Sequence, residues 1–173
     1  MLKSVLIGAV ALTLAGCATV DVANYRSERP PLDLAQYFNG TVDGWGMVQD
    51  RSGQVLRRFT VRIDAKWDGN RGTLDEHFEF SDGEKQNRVW TLVKDGDRYT
   101  GTAGDVVGAG QGIQQGNAFN LRYVLRVPWA GRTIDVDMDD WMWRIDGETV
   151  LNRTAMTKFG FRVGEVTLSL RKR

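Results

Sequence analysis

The sequence predicts an all-β fold, an antiparallel up-and-down meander of about eight to ten strands closing into a barrel, and three observations lead there. Apolar residues recur at every second position in short runs, as in Phe59, Val61 and Ile63. The same alternation returns in Phe119, Leu121, Tyr123, Leu125 and Val127, set against Asn120, Arg122 and Arg126. Turn chemistry interrupts these runs about every dozen residues: Asp50-Arg51-Ser52-Gly53, Asp68-Gly69-Asn70, Ser81-Asp82-Gly83, Asp95-Gly96-Asp97, Gly116-Asn117, Trp129-Ala130-Gly131 and Asp146-Gly147. After Gly40 no helical period of apolar residues is found.

Taken in order, residues 1–16 read as a signal segment, with Lys3 as its positive region and Val5–Leu14 as an apolar stretch too short to span a bilayer. It ends in Leu14-Ala15-Gly16-Cys17, which resembles the lipobox of bacterial lipoproteins, so Cys17 is expected to carry the lipid. Ala18 follows; the resemblance implies outer-membrane sorting when no Asp stands there. Residues 17–33, polar and closing on Pro30-Pro31, are expected to form the lipid anchor and an extended tether. Residues 34–173 form the barrel domain. Asp33 is placed to cap one or two helical turns that Asn39-Gly40 stops. Strands are expected at about 41–49, 54–64, 72–80, 85–94, 98–106, 109–115, 118–127, 132–145, 149–158 and 163–171. Closure of such a meander removes exposed edges. The stretch "FNGTVDGWG" after a helical turn resembles the entry of lipocalins, which supports a lipocalin-like barrel.

Composition excludes several functions. Loss of residues 1–16 removes one lysine and no acid, so the formal net charge falls from +1 to 0, and no basic stripe marks nucleic acid as a partner. The single cysteine, committed to lipid, leaves no disulfide and no thiol for catalysis. His77, the one histidine, alternates against Leu74, Glu76, Phe78 and Phe80 and is expected to face solvent, which leaves zinc without ligands. No Gly-x-Ser-x-Gly elbow and no calcium-loop pattern occurs, so no catalytic or metal-binding residues are assigned and an enzyme ranks last. The Gly-rich run 101–118 lacks the spacing of a phosphate loop and reads as barrel corners where backbones approach closely. No cofactor is implied.

The stretch "DVDMDDWMWRID", residues 135–146, holds five carboxylates. Ile134, Val136 and Met138 share one face, but Trp141, Trp143 and Ile145 have the opposite parity. A one-residue β-bulge at Asp139-Asp140 would bring all six inward and re-aim one of the two acids into the barrel. Such an acid needs a partner, for which Arg144, Asn152, Arg153 and Lys158 are near. Two readings stay open: a buried polar cluster that only holds the barrel, or a ligand site lined by Trp141 and Trp143 in which Asp140 and Arg153 orient a polar group.

Several motifs appear in order: "GTLDEHFEFSDGE", "RVWTL", "YTGTAGDVVGAGQG", "GNAFNLRYVLRVP", "DDWMW" and "LNRTAMTKFGFRVGEVTL". Together they resemble a family of bacterial lipoproteins carrying domain of unknown function 3833. The resemblance implies an envelope lipoprotein without an assigned activity, and singles out Asp139, Asp140, Trp141, Met142, Asn152, Arg153, Lys158, Phe159 and Gly160. The expected partners are therefore the membrane, through acylated Cys17, and a small amphipathic or lipid ligand. The alternative is an envelope assembly accessory with a filled barrel and a protein partner.

Overall fold

The computed structural model describes residues 20–173; the signal segment 1–16 and Cys17 lie outside the described residues. Ten strands follow one another as an antiparallel meander: β1 Gly40–Asp50, β2 Val55–Asp68, β3 Arg71–Phe80, β4 Lys85–Asp95, β5 Arg98–Thr102, β6 Gly110–Gln115, β7 Ala118–Trp129, β8 Arg132–Arg144, β9 Thr149–Lys158 and β10 Phe161–Lys172. β10 returns to pair with β1, with Val42 opposite Lys172 and Asp50 opposite Gly164, and the sheet closes into a barrel. The fold is thus the expected lipocalin-like barrel, and seven of its nine strand connections lie at the turn clusters named above; the β5–β6 loop and the Phe159-Gly160 turn do not.

Because strands alternate in direction, the β1–β2, β3–β4, β5–β6, β7–β8 and β9–β10 connections gather at one end, the mouth. The chain enters and leaves at the other end. That second end has a floor. Asp33 caps helix α1, Leu34–Tyr37, its carboxylate accepting from the Gln36 amide at 3.1 Å. Leu32, Leu34, Tyr37 and Phe38 are buried against the barrel core. Polar bonds pin them: the Tyr37 hydroxyl donates to the Glu148 carbonyl at 2.9 Å, and the Trp67 indole donates to the Phe38 carbonyl at 3.0 Å. The closed sheet and its core clusters lie wholly within residues 20–173.

Three expectations need correction. The bulge at Asp139-Asp140 is absent: β8 keeps continuous register against both β7 and β9. The register shifts fall at Val48/Gln49 and Arg162/Gly164, both near the mouth, where barrels relieve the mismatch of curved strands. With the phase unbroken, Val136, Met138, Asp140 and Met142 face inward, while Asp139, Trp141 and Trp143 face outward. The segment expected as an extended tether lies, from residue 20 on, against the barrel. A 3-10 turn, Val22–Tyr25, seats Val22 on Ala118 and Trp141, and Tyr25 meets Trp141 and Trp143 edgewise or tilted at 6.0 and 6.2 Å. Finally, the fifth strand stops at Thr102, and residues 103–109 cross as a loop bound to β7 through Val107 N–H to Val124 and Arg126 N–H to Asp105.

The Gly-rich run behaves as barrel corners. A Cβ on Gly112 would lie 2.7 Å from the Phe119 ring, so only glycine lets these strands approach there.

Candidate ligand-binding site

The barrel is hollow. A cavity of about 670 Å³ runs from α1 to the mouth. One wall is apolar: Val48 from β1, Phe59 and Ile63 from β2, and Val166, Leu168 and Leu170 from β10. Opposite them β3, β4, β7, β8 and β9 supply Glu76, Arg88, Tyr123, Asp140, Asn152 and Thr154, and the loop after β5 adds Asp105. Trp90, Leu92, Phe119 and Leu121 carry this wall down to Leu34 and Phe38.

The polar wall is held by charge. Arg88 forks onto Asp105, its Nε and Nη2 donating at 3.0 and 2.8 Å, and this bidentate pair ties the 103–109 loop across the side of the barrel. On its other side Arg88 lies 3.7 Å from Glu76. Burial pushes the Glu76 carboxyl up from 4.5 to about 7; Arg88 opposes the shift and the neighbouring Asp140 adds to it. Burial likewise pushes Asp140 up from 3.8 to about 6, against the stabilising hydrogen bonds it accepts from the Asn152 amide and the Thr154 hydroxyl. Asn152 also donates to the Trp141 carbonyl at 3.0 Å, which fixes its orientation. Burial raises the Tyr123 phenol well above its usual range, so it stays a neutral donor. Glu76 and Asp105 thus flank the Arg88 guanidinium, with Asp140 nearby on its own hydrogen bonds, and burial moves Glu76 and Asp140 up to about 7 and about 6.

The structure divides the residues singled out from the sequence. Asp140 and Asn152 meet in the cavity. Trp141 and Trp143 do not line it: they stack on each other outside, with centroids 5.7 Å apart and planes 10° apart, under the N-terminal segment. Asp139 also lies outside, accepting from Asn120 at 2.7 Å and pairing with Arg122 at 3.3 Å. Arg153 points outward to Glu165 at 3.5 Å, so it cannot orient a ligand with Asp140. Lys158 sits at the mouth, donating to the Asp135 carbonyl with its ammonium 4.7 Å from the Phe159 ring centroid. His77 faces solvent beside Asp75 at 3.4 Å, as its phase predicts. The site's main ionic pair escaped the sequence reading. Its signal was a charged residue in phase with apolar ones: Glu76 among Leu74, Phe78 and Phe80, and Arg88 ahead of Trp90 and Leu92.

A protein of unknown function of the DUF3598 family from Nostoc punctiforme superposes with a TM-score of 0.61 at 15% identity, over 84% of this chain and 51% of that one. The chain therefore spans about half the length of that relative. An S-type phycobiliprotein lyase from Guillardia theta superposes with a TM-score of 0.59 at 14% identity, over 84% of this chain and 94% of that one. At such identities the likeness shows a shared barrel fold. No curated protein matches. A family model matches residues 11–172, and the chain belongs to that family, described as Protein of unknown function (DUF3833).

Proposed function

We propose that this protein is an envelope lipoprotein, anchored through acylated Cys17 at the periplasmic leaflet of the outer membrane, whose barrel holds one small amphipathic molecule. The single observation that carries the binding reading is the cavity of about 670 Å³, apolar on one wall and charged on the other. Chambers of roughly 300–1,000 Å³ with a few convergent polar groups are the usual geometry of small-molecule sites. The anchor is supported by Leu14-Ala15-Gly16-Cys17 and the sorting by Ala18.

The polar wall narrows the chemistry of the ligand. Arg88 is occupied by Asp105 and Glu76, Arg57 by Asp82 and Glu84, and Arg126 by Asp135, so each guanidinium lining the chamber already has a carboxylate partner. The excess of carboxylates favours a neutral or cationic polar end with hydrogen-bond donors, such as a hydroxyl or an amine, with the apolar body along β10, β1 and β2. A filled barrel, the premise of the accessory reading, does not match this interior.

Native mass spectrometry of residues 20–173 purified from the periplasm, followed by solvent extraction, tests the reading. A bound molecule of lipid-like mass is the expected result. An empty protein that shows no thermal shift with hydroxylated or amine-bearing amphiphiles would overturn it.

A further inference from the structure

Four of the five turns at the mouth, neighbours around the rim, present large apolar side chains to solvent. Leu56 stands at the start of β2 beside the β1–β2 connection, Val107 in the β5–β6 loop, and Trp129, 56% exposed, at the end of β7 where it meets the β7–β8 turn. The β9–β10 turn carries Phe159, and Phe161 opens β10 directly after it, 84% and 77% exposed. Phe159 also has a left-handed backbone, φ 51°, followed by Gly160 at φ 79°. A two-residue hairpin turn of this kind is best served by Asn, Asp or Gly, so turn geometry does not explain a phenylalanine at its tip. The fifth turn, residues 81–84, is polar and engages Arg57 through Asp82 and Glu84.

Charge on this arc leans positive. Most of its carboxylates are engaged: Glu165 by Arg153 and Arg162, Asp105 by Arg88, Asp135 by Arg126, and Asp50 by the amide and hydroxyl of Ser52, while the exposed Asp137 joins no ion pair among the described residues. Among the described residues Arg51, Arg58 and Arg132 join no ion pair. Arg132 lies 5.4 Å from the Trp129 ring centroid, and Lys158 lies beside Phe159. Exposed aromatics flanked by unpaired cations match an anionic lipid surface, where rings enter the headgroup layer and guanidinium groups meet phosphates.

We infer that the mouth docks on an anionic bilayer surface through this arc, with Leu56, Trp129, Phe159 and Phe161 entering the headgroup region and Arg51, Arg58 and Arg132 binding lipid phosphates. Docking stands on the rim alone, which lies at the opposite end of the barrel from Val22, five residues after Cys17, so the bilayer met by the mouth is a surface other than the one that holds the anchor. Its use as a port for ligand exchange rests on the binding reading given above, and the two have separate readouts.

Co-sedimentation of residues 20–173 with vesicles tests the docking, because this segment contains the closed sheet and lacks residue 17. Binding to phosphatidylglycerol-rich vesicles is expected to exceed binding to pure phosphatidylcholine and to weaken with salt. The double variant Phe159→Ser, Phe161→Ser should bind about tenfold more weakly, since two exposed rings lose their place in the interface. Leu151→Ser, an exposed apolar position on the outer face of β9, should bind like the parent. Both phenylalanines are exposed, one on the turn and one at the first position of β10, and retained thermal unfolding confirms that the variant folds. Absence of vesicle binding, or binding that the double variant leaves unchanged, would overturn the proposal. So would a solution dimer that the double variant disperses without any vesicle binding, which would make the arc a contact between copies of this chain.

Discussion

Replacing Glu76 by Gln should stabilise the ligand-free protein above neutral pH and leave it unchanged in acid. The carboxyl is pushed from 4.5 to about 7 by burial, which at about 1.4 kcal/mol per unit corresponds to roughly 3 kcal/mol. The sign follows from proton binding. A folded-state pKa above the unfolded value means that the native state holds the proton more tightly, so this contribution to stability is fully present below pH 4.5. It is lost as pH climbs through about 7. Glutamine resembles the protonated acid and has nothing to lose. Removing the charge also forfeits its attraction to Arg88, but that contact is 3.7 Å long and Arg88 keeps its fork onto Asp105. A net gain of about 1–3 kcal/mol at pH 8 is therefore expected, a urea midpoint raised by about 0.5–1 M. Urea titrations of both proteins from pH 4 to pH 8 give the answer. The curves should coincide near pH 4 and separate through pH 7. Asp140, pushed to about 6, adds a similar loss common to both. A variant less stable at pH 8, or a difference independent of pH, would show that the Glu76 carboxylate is compensated in the cavity and that the reasoning fails.

Two other substitutions separate the outer face from the inner one. Trp141→Ala should cost about 2–4 kcal/mol by removing a buried ring and should expose the amides of residues 20–26 to hydrogen exchange. Ligand uptake should be unaffected; loss of uptake with the segment still protected would place Trp141 in the site after all. Met142→Trp should fill part of the chamber and lower ligand uptake at least about tenfold while the melting temperature moves by only a few degrees. Undiminished uptake, read by native mass spectrometry, would put the ligand elsewhere.

Most of the barrel is legible in the sequence because its signals are local. Gly and Asp clusters mark the turns, period two marks the strands between them, and Asp33 marks the start of the floor helix. The opening acids of the 135–146 stretch were harder to place. Apolar residues on both parities of β8 invite a bulge, yet the outer tryptophans are covered by Val22 and Tyr25, residues more than a hundred positions away in a segment without periodicity. No one-strand pattern carries a contact of that range. The cavity wall was half legible for the same reason. Asp140 and Asn152 lie on adjacent strands close in sequence, whereas Glu76, Arg88 and Asp105 come together with them only when the barrel closes.

The floor formed by α1 with Leu32 and Phe38 closes the chamber at the end opposite the mouth. A molecule therefore leaves by the route it entered and crosses the same barrier in both directions. Narrowing the mouth slows arrival and departure by equal factors and leaves the equilibrium constant untouched, whereas changing the chamber wall alters departure and the equilibrium constant together and leaves arrival unchanged. Rates and affinities measured on rim and interior variants should sort into these two patterns, as for a vessel and not a conduit.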